Sequence, residues 1–193
     1  MIELILLTDK FIFLFINKVL SNSFFDLIMP LIDNEKIFLP IMLIPFMLTL
    51  IIDTKNRIKL AILIPITIIL VDQTGLYLKK LILRPRPWSD MDLEAINHLV
   101  GKKGKNYSFP SNHAANMAGL SIVFSSIYKQ YSKIFWFFTS IVMLSRVYIG
   151  VHYPSDVIAG CLLGSIYGLS LTKIWESLNN KKKINWAEHR PGV

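Results

Sequence analysis

An all-α, polytopic transmembrane bundle of six helices is the fold class this sequence predicts, and three observations carry that expectation. Hydrophobic residues make up 53% of the 193 and charged residues only 18%; with a mean hydropathy of +0.48, the chain is too apolar for an ordinary soluble domain of this size. The apolar residues fall into runs approaching the roughly 20 residues that cross a hydrocarbon core about 30 Å thick. Polar connections between the runs are short apart from one stretch, which leaves no room for a separate soluble catalytic unit. Residues 1–193 therefore read as a single membrane-embedded domain.

The elements follow in order. Near the N-terminus Glu3, Lys10 and Asn17 recur every seven residues, with Asp9 beside them, and so place a polar stripe on one helical face. That stripe suits a helix lying in the interface or one spanning within a bundle. Residues 24–32 are too short to cross alone, so 11–32 is read as one span broken at Ser21-Asn22-Ser23. Five firm spans follow at 37–53, 58–83, 113–128, 134–150 and 157–175. The long polar stretch 84–110 carries Pro85, Pro87, Gly101 and Gly104, with a short helix expected over 92–100. The tail 179–193 is expected to be flexible. In the last span Gly160, Gly164 and Gly168 form a face of small residues; Ala114/Ala118 and Ala115/Gly119 offer similar faces on the span after His113.

Charge and cysteine use exclude other classes. The net charge of +8 belongs to a chain with no stripe of basic and aromatic residues, so its bases point to loop orientation and anionic ligands and not to nucleic acid. The lone Cys161 forms no intrachain disulfide, zinc cluster or redox pair. With Glu3, Asp9 and no basic leading region, the N-terminus is a poor cleavable signal peptide.

Three polar clusters collect at one end of consecutive spans, where ionisable groups are costly to desolvate and so suggest function. The first runs from Lys79 to Pro87. Its X-Pro steps favour extended backbone, so Lys79 and Arg86 can both reach one anion, although a basic collar snorkelling at a helix end would look the same. The second is Phe109-Pro110-Ser111-Asn112-His113, where Ser111 or Asn112 caps a helix whose unpaired amides and positive dipole end suit an anion beside His113. The third runs from Ser145 to Asp156: Arg146 leaves one helix, Ser155 can cap the next, and Asp156 lies near enough to bond and orient His152. Asp72, seven residues before Lys79, is read as packing or pairing with it. His98 and His189 are read as incidental, and Arg84, Lys102, Lys103 and Lys105 as headgroup contacts or solvated loop charge.

Together these spacings resemble the three signature motifs of the type 2 phosphatidic acid phosphatase (PAP2) superfamily. Lys79 stands six residues before Arg86-Pro87, Pro110-Ser111-Asn112-His113 follows, and Ser145-Arg146 precedes His152 by five residues and Asp156 by three more. The motif region covers 79–156, and the flanking helices through about 176 also fit. Asn112 stands where the commonest form has Gly, and its side chain is expected to narrow the phosphate pocket. The resemblance implies a PAP2-like bundle and a metal-independent phosphatase with no cofactor. His152 would be the nucleophile, forming a phosphohistidine, with Asp156 orienting its ring and His113 protonating the leaving oxygen and then activating water. Lys79, Arg86, Arg146, Ser111 and the amides near Asn112 and His113 would hold the phosphate oxygens.

Burial in membrane favours a lipid phosphate or diphosphate as substrate, with the membrane as setting and no protein partner or nucleic acid evident. Among bacterial members the substrates open are undecaprenyl diphosphate, lipid A 1-phosphate, phosphatidylglycerol phosphate and phosphatidate. A headgroup-binding transporter without hydrolysis and a purely structural membrane protein are the rival classes. With Lys79, Arg86 and Arg146 assigned to the site, Lys55, Arg57, Lys59, Lys129, Lys133, Lys181, Lys182, Lys183 and Arg190 outnumber the bases on the other face. The positive-inside rule then puts the C-terminus in the cytoplasm of a bacterial inner membrane and the site on the periplasmic or exterior side.

Overall fold

The computed structural model describes residues 2–100 and 107–188. Among these residues the chain is helical with no strand, apart from one antiparallel bridge between Pro85 and Tyr107. The helices are α1 (Ile2–Leu14), α2 (Ser23–Asp33), α3 (Glu35–Ile52), α4 (Arg57–Ile82), the single turn α5 (Pro87–Asp90), α6 (Asn112–Ile127), α7 (Ser132–Tyr148) and α8 (Pro154–Glu188). Helices thus stand at all five expected spans. Taken singly, α4 and residues Pro154–Asn180 of α8 are long and apolar enough to cross a membrane. At 16 and 17 residues, α6 and α7 reach only about 24–26 Å, because their ends give way to the charged loops that build the site.

One expectation takes a sharper form and two change. The broken first span is an elbow: α1 continues through a π-helical turn, Phe15–Val19, and the arms Leu6–Val19 and Ser23–Asp33 are bent by 116°. Over 92–100 only the 3₁₀ turn Leu93–Ala95 is helical; helix instead forms just upstream, where Pro87 occupies the first position of α5 and its fixed φ suits a helix start. Finally, α8 continues to Glu188, so most of the expected tail is helical; His189 and the rest of that tail lie outside the described residues, as do Lys102, Lys103 and Lys105.

Asp9, Lys10 and Asn17 of the polar stripe face the bundle. Asn17 is fully buried, donating to the carbonyls of Asn97 and Tyr148 at 2.9 and 2.7 Å and accepting from the Asn97 amide at 2.7 Å. Lys10 pairs with Asp90 at 2.9 Å. On the other side of α1, Leu4, Leu7 and Phe11 are exposed, as an outer face against lipid requires.

Of all the helix pairs, α6 and α8 pack together most extensively, and their small-residue faces explain why. A Cβ added at Gly160 would meet the Ser111 carbonyl oxygen at 2.3 Å, one at Gly164 the Ala115 oxygen at 1.8 Å, and one at Gly168 the Gly119 oxygen at 2.9 Å. Close approach of small residues, as in membrane bundles generally, lets dispersion and interhelical hydrogen bonds hold the pair. Ser121 and Thr139 join α6 to α7 at 2.8 Å, and Thr74 joins α4 to Tyr167 of α8 at 2.7 Å. At the opposite end from the clusters, Tyr128 donates to Asp53 at 2.6 Å; with Asn56 it holds that carboxyl down to about 2, while burial and the Asp53 carboxylate push the tyrosine up to about 12.

Candidate active site

Leu83 ends α4 in the left-handed region at φ 52°, a conformation that costs a residue with a bulky side chain about 1 kcal/mol or more. The turn sends the chain into the extended run 84–86, which Ser108 fastens by donating its amide to the Arg84 carbonyl at 2.8 Å and its hydroxyl to the Pro85 carbonyl at 3.1 Å. Residues two apart in extended backbone share a face, and Arg84 and Arg86 use that face to grip the same pair of side chains. Arg84 donates to Asp156 at 2.7 Å, and Arg86 stands 3.4 Å from His152 Nε2 while donating to the Val151 carbonyl at 3.0 Å.

His152 lies in the turn between α7 and α8, its Nδ1 3.5 Å from Asp156 Oδ2. That separation is an ion-pair distance, longer than a good hydrogen bond, and it directs Nε2 away from the carboxylate toward Arg86. Burial pushes the imidazole down from its usual 6.5 to about 3, against the opposing pull of Asp156, so the ring is neutral and its Nε2 lone pair is available. Asp156 also accepts from the Tyr153 amide at 2.8 Å, which fixes it in the first turn of α8.

Ser111 occupies the N-cap of α6, but its side chain makes no capping bond, and the buried hydroxyl has no hydrogen-bond partner. Its amide donates to the Asp156 carbonyl at 3.0 Å, tying the start of α6 to the start of α8. The amides of the first turn of α6 have no helical acceptors. His113 stands in that turn, half-buried, and the charges acting on its ring are those of Arg146, Asp33, Arg86 and Lys79. Arg86 and Lys79 also act on His152, so both histidines lie within the field of the same two cations. Arg146 is almost fully buried, donates to the Ser145 hydroxyl at 3.1 and 3.2 Å, and pairs with Asp33 at 2.5 Å.

Asn112 does something other than narrow the pocket. Its side chain turns back to α4, where Gly75 leaves room for it: a Cβ there would come within 2.5 Å of Asn112 Oδ1. Nδ2 donates to Asp72 at 2.9 Å and Oδ1 accepts from Lys79 at 3.0 Å; Lys79 also donates to the Pro110 carbonyl. Asp72 therefore reaches Lys79 through Asn112, and it accepts a second bond from Asn116 at 3.0 Å.

Sequence reasoning missed three residues here. Arg84, expected among headgroup contacts or solvated charges, is bound at 2.5 Å to Asp9 as well as to Asp156. Asp9, nearly buried, accepts the Ser155 amide at 2.8 Å and hydroxyl at 2.6 Å, so the α8 start is capped from α1 and not by Ser155. Asp33 comes from the far arm of the elbow. The alternation of Arg84 with Arg86 was a signal for the first; nothing local marks Asp33. His98 packs beside Trp88, their ring centroids 5.9 Å apart, with its Nδ1 3.4 Å from where a Cβ on Gly150 would stand. Among the described residues no group of three His, Cys, Asp or Glu side chains gathers that could hold a metal ion.

Residues 58–180 match the PAP2 superfamily. The chain is 32% identical to a lipid A 4'-phosphatase of Bacteroides thetaiotaomicron over 87% of its own length and 77% of that protein's. It is 30% identical to a lipid A 4'-phosphatase of Porphyromonas gingivalis over 90% and 75% respectively. In fold it is similar to the crystal structure of LpxE from Aquifex aeolicus, with a TM-score of 0.68 at 24% identity, covering 84% of this chain and 93% of that one.

Proposed function

This chain belongs to the PAP2 superfamily and is a membrane lipid phosphatase, and from that premise we propose that it removes a phosphate from lipid A, at the 4' position, through a phosphohistidine on His152. The observation that carries the chemistry is the setting of the His152 ring, with Nδ1 toward Asp156 and Nε2 toward Arg86. Nε2 attacks phosphorus in line as the bond to the lipid oxygen breaks, and His113 gives that oxygen its proton. His113 then takes a proton from water, whose oxygen attacks the phosphohistidine and releases inorganic phosphate. Lys79, Arg86, Arg146, the Ser111 hydroxyl and the first-turn amides of α6 hold the oxygens over which charge spreads in the transition state.

The choice of lipid A rests on the two relatives that align over most of both chains. We place the protein in a bacterial inner membrane, with the site on the periplasmic face and the C-terminus in the cytoplasm; the base asymmetry supports that orientation. The test is phosphate release by the purified protein, in EDTA, from a panel of bis-phosphorylated lipid A, lipid A lacking the 4'-phosphate, undecaprenyl diphosphate, phosphatidylglycerol phosphate and phosphatidate. Release from the first and not the second is expected. Preference for another lipid would reassign the substrate, and dependence on added divalent metal would overturn the mechanism.

A further inference from the structure

We propose that Asp9, on α1 and outside the region that matches the family, is a positioning residue for His152, acting through Arg84 on Asp156. This rests on the reading of His152 as the nucleophile. Four polar side chains form one connected line. Asp9 Oδ2 accepts from Arg84 Nη2 at 2.5 Å, Arg84 Nη1 donates to Asp156 Oδ1 at 2.7 Å, and Asp156 Oδ2 faces His152 Nδ1 at 3.5 Å. Ser155 closes a second path: Arg84 Nη1 donates to its hydroxyl at 2.6 Å, and Asp9 accepts both its hydroxyl and its amide. The guanidinium also lies over the Tyr153 ring, 4.2 Å from its centroid. Asp9 and Asp156 are both buried, so these charges act on one another with little screening by water.

The charge balance gives Asp9 its role. Attack on phosphorus turns the neutral His152 ring into a cationic phospho-imidazolium that keeps its proton on Nδ1, and the carboxylate of Asp156 stabilises that charge. Arg84 alone at 2.7 Å would spend most of the Asp156 charge on itself. With Asp9 on its other nitrogen, Arg84 is balanced from outside and the Asp156 charge remains available to His152. The groups facing His152 are Asp156 from α8 and Arg86 and Lys79 from the first motif; behind Asp156 stand Arg84 and then Asp9. Through the Ser155 amide, Asp9 also fixes the first turn of α8, from which Asp156 projects.

The experiment uses the full-length protein and two readouts: steady-state phosphate release from the lipid it cleaves, and ¹⁵N NMR of histidine-labelled protein, with the His152 signals assigned by loss in His152→Gln. Asp9→Asn should lower kcat about tenfold with KM within twofold, and should move the His152 nitrogen shifts and titration toward a less basic ring. Asp9→Glu should recover part of both. Ser155→Ala, which leaves every charge in place, should move them in the same direction by less, and it carries the test if Asp9→Asn does not fold. Asn17→Ala loosens the docking of the same arm through Asn97 and Tyr148 without touching the line of charges, so it should lower the Tm and leave kcat and the His152 signals unchanged. Unaltered His152 signals in Asp9→Asn and Ser155→Ala, or the same changes in Asn17→Ala, would overturn the proposal. Loss of phosphate release from every lipid would defeat the functional reading instead, and the NMR comparison would still decide the role of Asp9.

Discussion

Arg146, one of the proposed phosphate residues, holds the carboxylate of Asp33 at 2.5 Å, and that pairing has a sign that can be measured. An oxyanion reaching Arg146 must compete with Asp33, so Asp33→Asn should strengthen inhibition by vanadate, which adopts the five-coordinate geometry of the transition state. A charge-assisted contact of about 1.5 to 3 kcal/mol puts the gain at about tenfold or more. The same variant leaves a buried guanidinium short of its partner, so its Tm should fall. A vanadate inhibition constant equal to that of the parent would mean that Asp33 does not compete for the anion. His152 supplies a second prediction. Burial lowers its pKa from 6.5 to about 3, so between these values the unfolded chain holds a proton that the folded chain does not. This stability is complete above about 6.5 and is lost as pH falls toward 3. Thermal melts of detergent-solubilised protein from pH 7.5 to 4 should show the decline, and His152→Gln should flatten it; an equal decline in that variant would place its origin elsewhere. The contact legible in the sequence was the one that closes within a single short motif, His152 with Asp156; Ser111 stands at the α6 N-cap without a capping bond, and Lys79 finds its partners in Pro110 and Asn112 of the next motif. Asp9, Asp33 and Arg84 acquire their roles through contacts 71 to 146 positions apart, and of the three only Arg84 carries a local hint, its alternation with Arg86.

At the scale of elements, the pair α6 and α8 carries the proposed chemistry, because His113 lies in the first turn of one and Asp156 in the first turn of the other. Spacing of Gly160, Gly164 and Gly168 made this contact readable, since residues four apart share a helix face. Gly164 is the tightest point, with backbone and not a movable side chain in the way. Gly164→Ala should therefore push the helices apart near the site, costing about 1 to 3 kcal/mol and lowering turnover more than a change at the distant end of α8 does. A Gly164→Ala protein with parental Tm and kcat would show that the two helices tolerate separation. The elbow was harder to read: apolar residues continue through 11–32, and hydropathy does not distinguish a straight crossing from two arms bent by 116°. Asn22 gives the physical reason for the break, since its side chain accepts the Phe25 amide at 3.1 Å and starts a new helix there.

For the molecule as a whole, the proposed site and the loop bearing Lys55 and Arg57 lie at opposite ends of α4, so a topology measurement should find them on opposite faces of the membrane. The 26 residues of α4 span about 39 Å, enough to cross, with Lys55 and Arg57 at one end and Arg84 and Arg86 at the other. Arg84 and Arg86 are held by site groups and so are poor markers of a cytoplasmic loop, whereas Lys55 is exposed. Lys129 and Lys133, one helix further along from the motif of His113, fall on the same side as Lys55. Single cysteines in a Cys161→Ser background report the arrangement directly. Leu93→Cys, at an exposed position in the 3₁₀ turn between α5 and the second motif, should react with a membrane-impermeant maleimide in intact spheroplasts, and Lys55→Cys should react only after lysis. On the proposed substrate and orientation, active protein should give the same pattern, because a lipid A phosphate presented from the outer leaflet would reach Arg86 and His152 from that side. Labelling of position 55 and not 93 in intact spheroplasts would put the catalytic pocket in the cytoplasm and require a substrate presented by the inner leaflet.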